Sequence, residues 1–225
     1  MADRTTLRRL LEIERQQRDS DWAKALVAEL LTTPLAICEP QVDRGPDGFL
    51  YLGLALEDAE NQTTLADVFS YCTETAHCGL VLFRDTARAD PPEWVFSLGD
   101  LWSLRMFGSI DGDPNDLAAL AEANREPSAE GQDQQVLLAA PSETYLPEPM
   151  KQALTDFLVD ILELPEAPDI GLLVVPSLAP PQNLLLKLGA ASFRDAAHQD
   201  AVLHAVSWFL PRHRGVMFLP DGWSA

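Results

Sequence analysis

Apolar residues along the chain change period several times, and each change predicts an element. Leu7, Leu10 and Leu11 recur at helical spacing, and Trp22, Ala25, Leu26 and Leu30 resume it before Pro34. A long or broken N-terminal helix is expected. The apolar runs PLAICEP and FLYLGLAL are short and separated by the turn-forming RGPDG, which predicts two strands. Leu65, Val68, Phe69, Cys72 and Ala76 then fall on one helical face behind Thr64, with Gly79 placed to stop that helix and GLVLF to follow as a strand. Beyond the proline-bearing RDTARADPPE, the segment WVFSLGDLWSLRMFGSI reads as a strand and a short helix capped by Ser97 or Asp100. Its Trp94, Phe96, Trp102 and Phe107 are expected in a core.

Periodicity is lost over residues 124–135, NREPSAEGQDQQ, whose polar, Pro- and Gly-bearing composition predicts a linker. Past it come the strand VLLAAP, a helix from Glu148 to Leu162 with Met150, Leu154, Phe157, Leu158 and Ile161 on one face, and the strands IGLLVVP and NLLLKLG. A helix from Asp195 to Leu210 and the strand GVMFLP complete a β-α-β-β-α-β order. The predicted fold class is α+β: two small α/β subdomains, each a mixed sheet packed by helices. They span residues 1–123 and 136–225.

Composition narrows the classes of function. With 47% hydrophobic residues, five Trp and nine Phe, the chain of 225 residues can bury its own cores. Its 35 acids outweigh 16 Lys plus Arg, for a net charge of −19. A field of that sign repels phosphate backbones, so nucleic acid is not an expected partner. The acidity either solvates the surface or steers a basic partner. MADRTTLRRLLEIERQQ is charged where a secretory leader would be apolar, and no run reaches the ~18 apolar residues of a membrane span. A cytoplasmic location with no membrane partner is expected, and three cysteines, an odd number, fit reduced thiols there.

Three constellations invite a chemical reading. Cys72, His77 and Cys78 lie within seven residues, but zinc needs four converging ligands and this C-x5-C run has no second pair. Both thiols are expected to act as small hydrophobes, and His77 as a dipole partner at a helix end. Asp111, Asp113, Asn115 and Glu122 fit a calcium loop, yet its sixth position, Gly in such loops, is Asp116, and Asp113-Pro114 reads better as a helix start. His198, Asp200, His204 and His213 are the remaining candidates; Asp200 and His204, four apart on a helix, are expected to form a surface ion pair. Nucleophile elbows, phosphate-binding loops, dinucleotide fingerprints and zinc-protease motifs are all missing from the sequence. No catalytic residue, metal or cofactor is predicted.

The strings PSETYLPEPMKQALTDFL, IGLLVVP and PQNLLLKLGA, with a helix closing in FLP and a last strand, resemble the C-terminal domain of the SseB family, the enhanced serine sensitivity proteins. LVAELLTTPLAI, the step TTLADVF to GLVLF, and WVFSLGDLWSLRMFG resemble its N-terminal domain. The resemblance implies a cytoplasmic bacterial α+β protein without an established catalytic mechanism. It carries no active-site residues. The expected function is therefore a non-enzymatic protein-binding or regulatory one, through an acidic surface and exposed apolar residues: Trp208, Phe218, Leu219 and Trp223, the last of which could equally fold back on the core. The alternative is an enzyme of unknown class whose site is assembled between the two halves from Cys72, His77 or His204 with scattered carboxylates.

Overall fold

The computed structural model describes residues 4–57, 60–113, 137–175 and 181–218. Helices and mixed sheets alternate in an α+β arrangement, and the chain divides into two compact units, Met1–Arg105 and Met106–Ala225. The division falls in the last turn of a helix, upstream of the expected linker at 124–135, which lies outside the described residues.

The expected N-terminal helix is broken in two. Helix α1 (Thr5–Glu12) stops at the extended Ile13, a single 3-10 turn covers Arg15–Gln17, and α2 (Ser20–Leu30) restarts where Asp19 caps it by accepting from the Trp22 amide at 2.8 Å. Side chains hold the break in place. The Arg18 guanidinium donates to the carbonyls of Leu11, Ile13 and Glu93, while the Trp22 indole donates to Leu10 O at 2.8 Å. The donors to Leu11 and Ile13 satisfy carbonyls at the end of α1, and the one to Glu93 ties the break to the residue before β5.

Strands β1 (Leu35–Arg44), β2 (Leu50–Ala55), β3 (Gln62–Thr63), β4 (Gly79–Phe83) and β5 (Trp94–Phe96) form one sheet in the order β3-β1-β2-β4-β5. The β1–β2 hairpin turns through RGPDG, where Gly48 takes a φ of 89° that a side chain would resist. Register shifts between Ile37 and Val42, a bulge that contains the cis Glu39–Pro40 bond. β2 and β4 run parallel, joined through α3 (Leu65–Ser70), and the other pairs are antiparallel. Behind β5, Ser97 and Asp100 cap α4 (Leu98–Phe107) reciprocally: each side chain accepts from the other's amide, at 3.0 and 3.2 Å. Both candidate caps therefore act together. Of the four aromatic residues expected in a core, Phe96 and Trp102 are buried and Trp94 and Phe107 are half-buried.

The second unit holds β6 (Leu137–Ala139), α5 (Glu148–Leu162), β7 (Ile170–Val174), β8 (Gln182–Leu186), α6 (Ala196–Ser207) and β9 (Gly215–Phe218). Its sheet runs β6-β7-β8-β9, antiparallel except for the β8/β9 pair, which α6 connects in parallel. Helix, hairpin, helix and parallel strand thus follow in the same order in both units: α2-β1-β2-α3-β4 and α5-β7-β8-α6-β9. On α5, Met150, Leu154 and Leu158 are buried and Phe157 stacks on Phe209 at 4.9 Å. Ile161 departs from the expected face. It is 49% exposed, in the last turn before Glu163 ends the helix in a left-handed conformation. No helix among the described residues is long and apolar enough to cross a membrane.

Candidate functional site

The Cys72–Cys78 run forms where α3 gives way to β4. A capping box between Thr64 and Asp67 starts α3, and its last turn opens into a π turn over Tyr71–Thr75, with the Ala76 amide reaching Tyr71 O at 2.8 Å. Thr73 is fixed there from both sides, donating to Phe69 O and accepting from Arg105, whose other nitrogen meets Glu74 at 2.5 Å. His77 then takes a φ of 45°, and the chain folds back so that the Cys78 amide donates to Cys72 O at 3.0 Å. This corrects the expected stop at Gly79. His77 supplies the left-handed residue, while Gly79 is needed for space: a Cβ there would lie 2.4 Å from Phe96 O and 2.7 Å from the Tyr51 ring.

Both thiols are fully buried and within hydrogen-bond reach of one another. The hydrogen bond to Cys78 and then burial push the Cys72 thiol far up. The Cys78 thiol is lowered by that same hydrogen bond, with the Leu52 amide adding to it against the cost of burial. The arrangement is thus asymmetric, one sulfur donating and the other accepting. Among the described residues no group of three or more His, Cys, Asp and Glu side chains converges to hold a metal ion.

A second polar group, which no local pattern marks, is built from residues that follow β2 and β4, namely Glu57, Thr86 and Arg88, and from the bulged β1. Arg88, itself left-handed at a φ of 53°, reaches Pro40 O at 2.6 Å and Asp43 at 3.3 Å and lies over the Phe83 ring. It also meets the buried Cys38 thiol across Gly53, where a Cβ would come within 3.0 Å of the Cys38 Cβ. Burial raises that thiol in spite of the guanidinium, so Cys38 is not an activated nucleophile. Glu57 accepts from both the amide and the hydroxyl of Thr86, at 3.0 and 2.7 Å, which lowers its carboxyl. The β1 bulge and an arginine 48 residues after Pro40 make this cluster. No local spacing announces it.

The remaining candidates do not come together. Asp200 and His204 are exposed on α6, and the expected ion pair between them is not formed; α6 is held at its start by Asp195, which accepts from the His198 amide at 2.7 Å. His213 is buried in the second unit, edge-on to Phe107 at 5.5 Å and pressed against Gly112, where a Cβ would lie 1.9 Å from the imidazole Nδ1. Beside it Arg214 lies over the Tyr145 ring and donates to Tyr145 O. Of the apolar residues expected to meet a partner, Phe218 is buried and stacks on Phe193 at 4.7 Å, so it serves the core instead. Trp208 is half-buried against Phe209 at the end of α6. Leu219 and Trp223 lie outside the described residues, as do Asn115, Asp116 and Glu122 of the calcium-like run.

Exposed apolar side chains occur elsewhere. On β6, at the end of its sheet among the described residues, Leu137 is 59% and Leu138 51% exposed. Sequence reasoning had the signal, the run VLLAAP, but read it as an ordinary strand because edge position is invisible in a pattern. Compared with protein-family models, with curated proteins and with solved structures, the chain matches none.

Proposed function

We propose that the chain is a non-enzymatic, SseB-like cytoplasmic protein that binds an extended basic segment of another protein along the edge strand β6. The observation that carries this reading is the pair Leu137 and Leu138, one on each face of the edge strand and each more than half exposed, on a strand that pairs with β7 through Leu137↔Val174 and Leu138↔Leu173. An edge strand presents backbone donors and acceptors to an added strand, and natural proteins usually blunt such edges with charge. Two leucines do the opposite. Charge selects the occupant: 35 acids against 16 bases favour a basic segment and disfavour a second copy that also carries −19. The shared helix–hairpin–helix–strand order of the two units supports the SseB-like part of the reading.

Covering half of each leucine contributes about 1 kcal/mol apiece. Replacing both by Ser therefore weakens binding by about 2 kcal/mol, roughly 30-fold. The test is fluorescence anisotropy with a labelled peptide of alternating Lys and Val, and one of alternating Glu and Val as comparison. Saturable binding of the Lys peptide that falls with added salt and with Leu137→Ser/Leu138→Ser supports the proposal. Equal binding of both peptides, no binding, or an unaffected double variant overturns it.

A further inference from the structure

A buried pair of thiols within hydrogen-bond reach needs a reason, because two apolar side chains would fill the same space without a polar hydrogen to satisfy. We propose that Cys72 and Cys78 form a redox-sensitive dithiol, oxidised by a hydroperoxide to an intramolecular disulfide. The inference is independent of the β6 surface.

Three observations carry it. The two thiols are both fully buried and within hydrogen-bond reach, and the reversal at His77 that brings them together is fastened by the Cys78 amide on Cys72 O at 3.0 Å. The pair is asymmetric, since the hydrogen bond between the thiols lowers Cys78 and raises Cys72, so Cys78 is the sulfur assigned the first attack. Finally, Cys72 lies in a π turn, a widening frequent at functional sites, and Cys78 follows three residues after it. Both sulfurs are covered, but Tyr71 at the start of that turn is 37% exposed and His77 half-buried, so opening of one helix end uncovers them. Hydrogen peroxide is hardly larger than water.

The reaction balances with peroxide as the two-electron oxidant. Cys78 sulfur attacks one peroxide oxygen and the O–O bond breaks; the departing hydroxide takes the proton that the Cys78 thiol gives up and leaves as water. The resulting sulfenic acid is attacked by the Cys72 sulfur, the S–O bond breaks as S–S forms, and the hydroxyl leaves with the Cys72 proton as a second water.

Cys38 is an internal control. It is equally buried but faces the Arg88 guanidinium. The folded full-length protein is treated with hydrogen peroxide, quenched with catalase, unfolded, alkylated and mapped by mass spectrometry without reductant. The expected result is alkylated Cys38 and a Cys72–Cys78 linked peptide lighter by the two thiol hydrogens, reverted by dithiothreitol. Both cysteines alkylated, both carried to sulfinic or sulfonic acid unlinked, or Cys38 oxidised as fast, overturns the proposal. In Cys72→Ser, Cys78 is expected to be trapped as a sulfenic acid by dimedone. The wild-type map decides the matter if that variant does not fold.

Discussion

Glu93 offers the sharpest test of how the first unit is held together. Its carboxylate meets Arg18 at 2.9 Å and also Arg84, and the Arg18 and Glu93 side chains are only 6% and 8% exposed, against 53% for Arg84. Replacing Glu93 by Ala strands the Arg18 charge in the interior, which costs about 3–5 kcal/mol. Replacing Arg84 by Ala removes a half-solvated partner and costs at most about 1 kcal/mol. Against a net stability of about 5–15 kcal/mol the first loss is large, and it lowers the melting temperature by more than about 10 °C. The assay is urea unfolding followed by tryptophan fluorescence, because Trp22 and Trp94 stack at 4.9 Å beside the pair and report its loss. Acid titration supplies a second readout. Burial alone raises the Glu93 carboxyl, but the hydrogen bonds and charges of Arg18 and Arg84 outweigh it and leave it below the usual glutamate value. A depressed folded value means stability that is fully present above about pH 4.3 and lost as pH falls through the folded value. Glu93→Gln flattens that acid limb. Equal losses in Glu93→Ala and Arg84→Ala, or a Glu93→Ala variant within about 1 kcal/mol of wild type, would refute the reasoning.

Two further outcomes are expected around the α3–β4 junction. Gly79→Ala places a Cβ 2.4 Å from the backbone oxygen of Phe96, which cannot rotate away, and lowers stability by about 1–3 kcal/mol in the same urea assay; an unchanged midpoint would mean that β5 yields. His77→Gly relieves the left-handed φ of 45° and raises stability by up to about 1 kcal/mol, since the lost strain exceeds the added chain entropy. A lower midpoint would show that the imidazole contributes more than its backbone conformation costs.

Much of the fold was legible because local causes make it. Thr64 followed by Asp67, Ser97 by Asp100, and Asp19 before Trp22 place polar groups where orphan amides need them, and the helices begin there. Alternating and helical periods likewise marked both hairpins and the helices α5 and α6. Short-range spacing also showed correctly that Cys72 lies on a buried stripe. What it could not show was that the Cys78 sulfur turns back onto it, because that depends on one residue, His77, adopting a conformation its own preferences disfavour.

The sequence by itself determined the periods, the caps, the acidic balance and hence the α+β class: these follow from neighbours within a few positions or from simple sums of charge. Only the tertiary structure decided which groups meet. Arg18 and Glu93 are 75 positions apart, Arg88 and Pro40 48, and the latter meeting rests on a bulge in β1 that no local preference specifies. It also decided that Phe218 is core and Leu138 surface. Both are apolar residues in strands, and a strand's period sets which side chains share a face but not which face, or which edge, the rest of the chain covers.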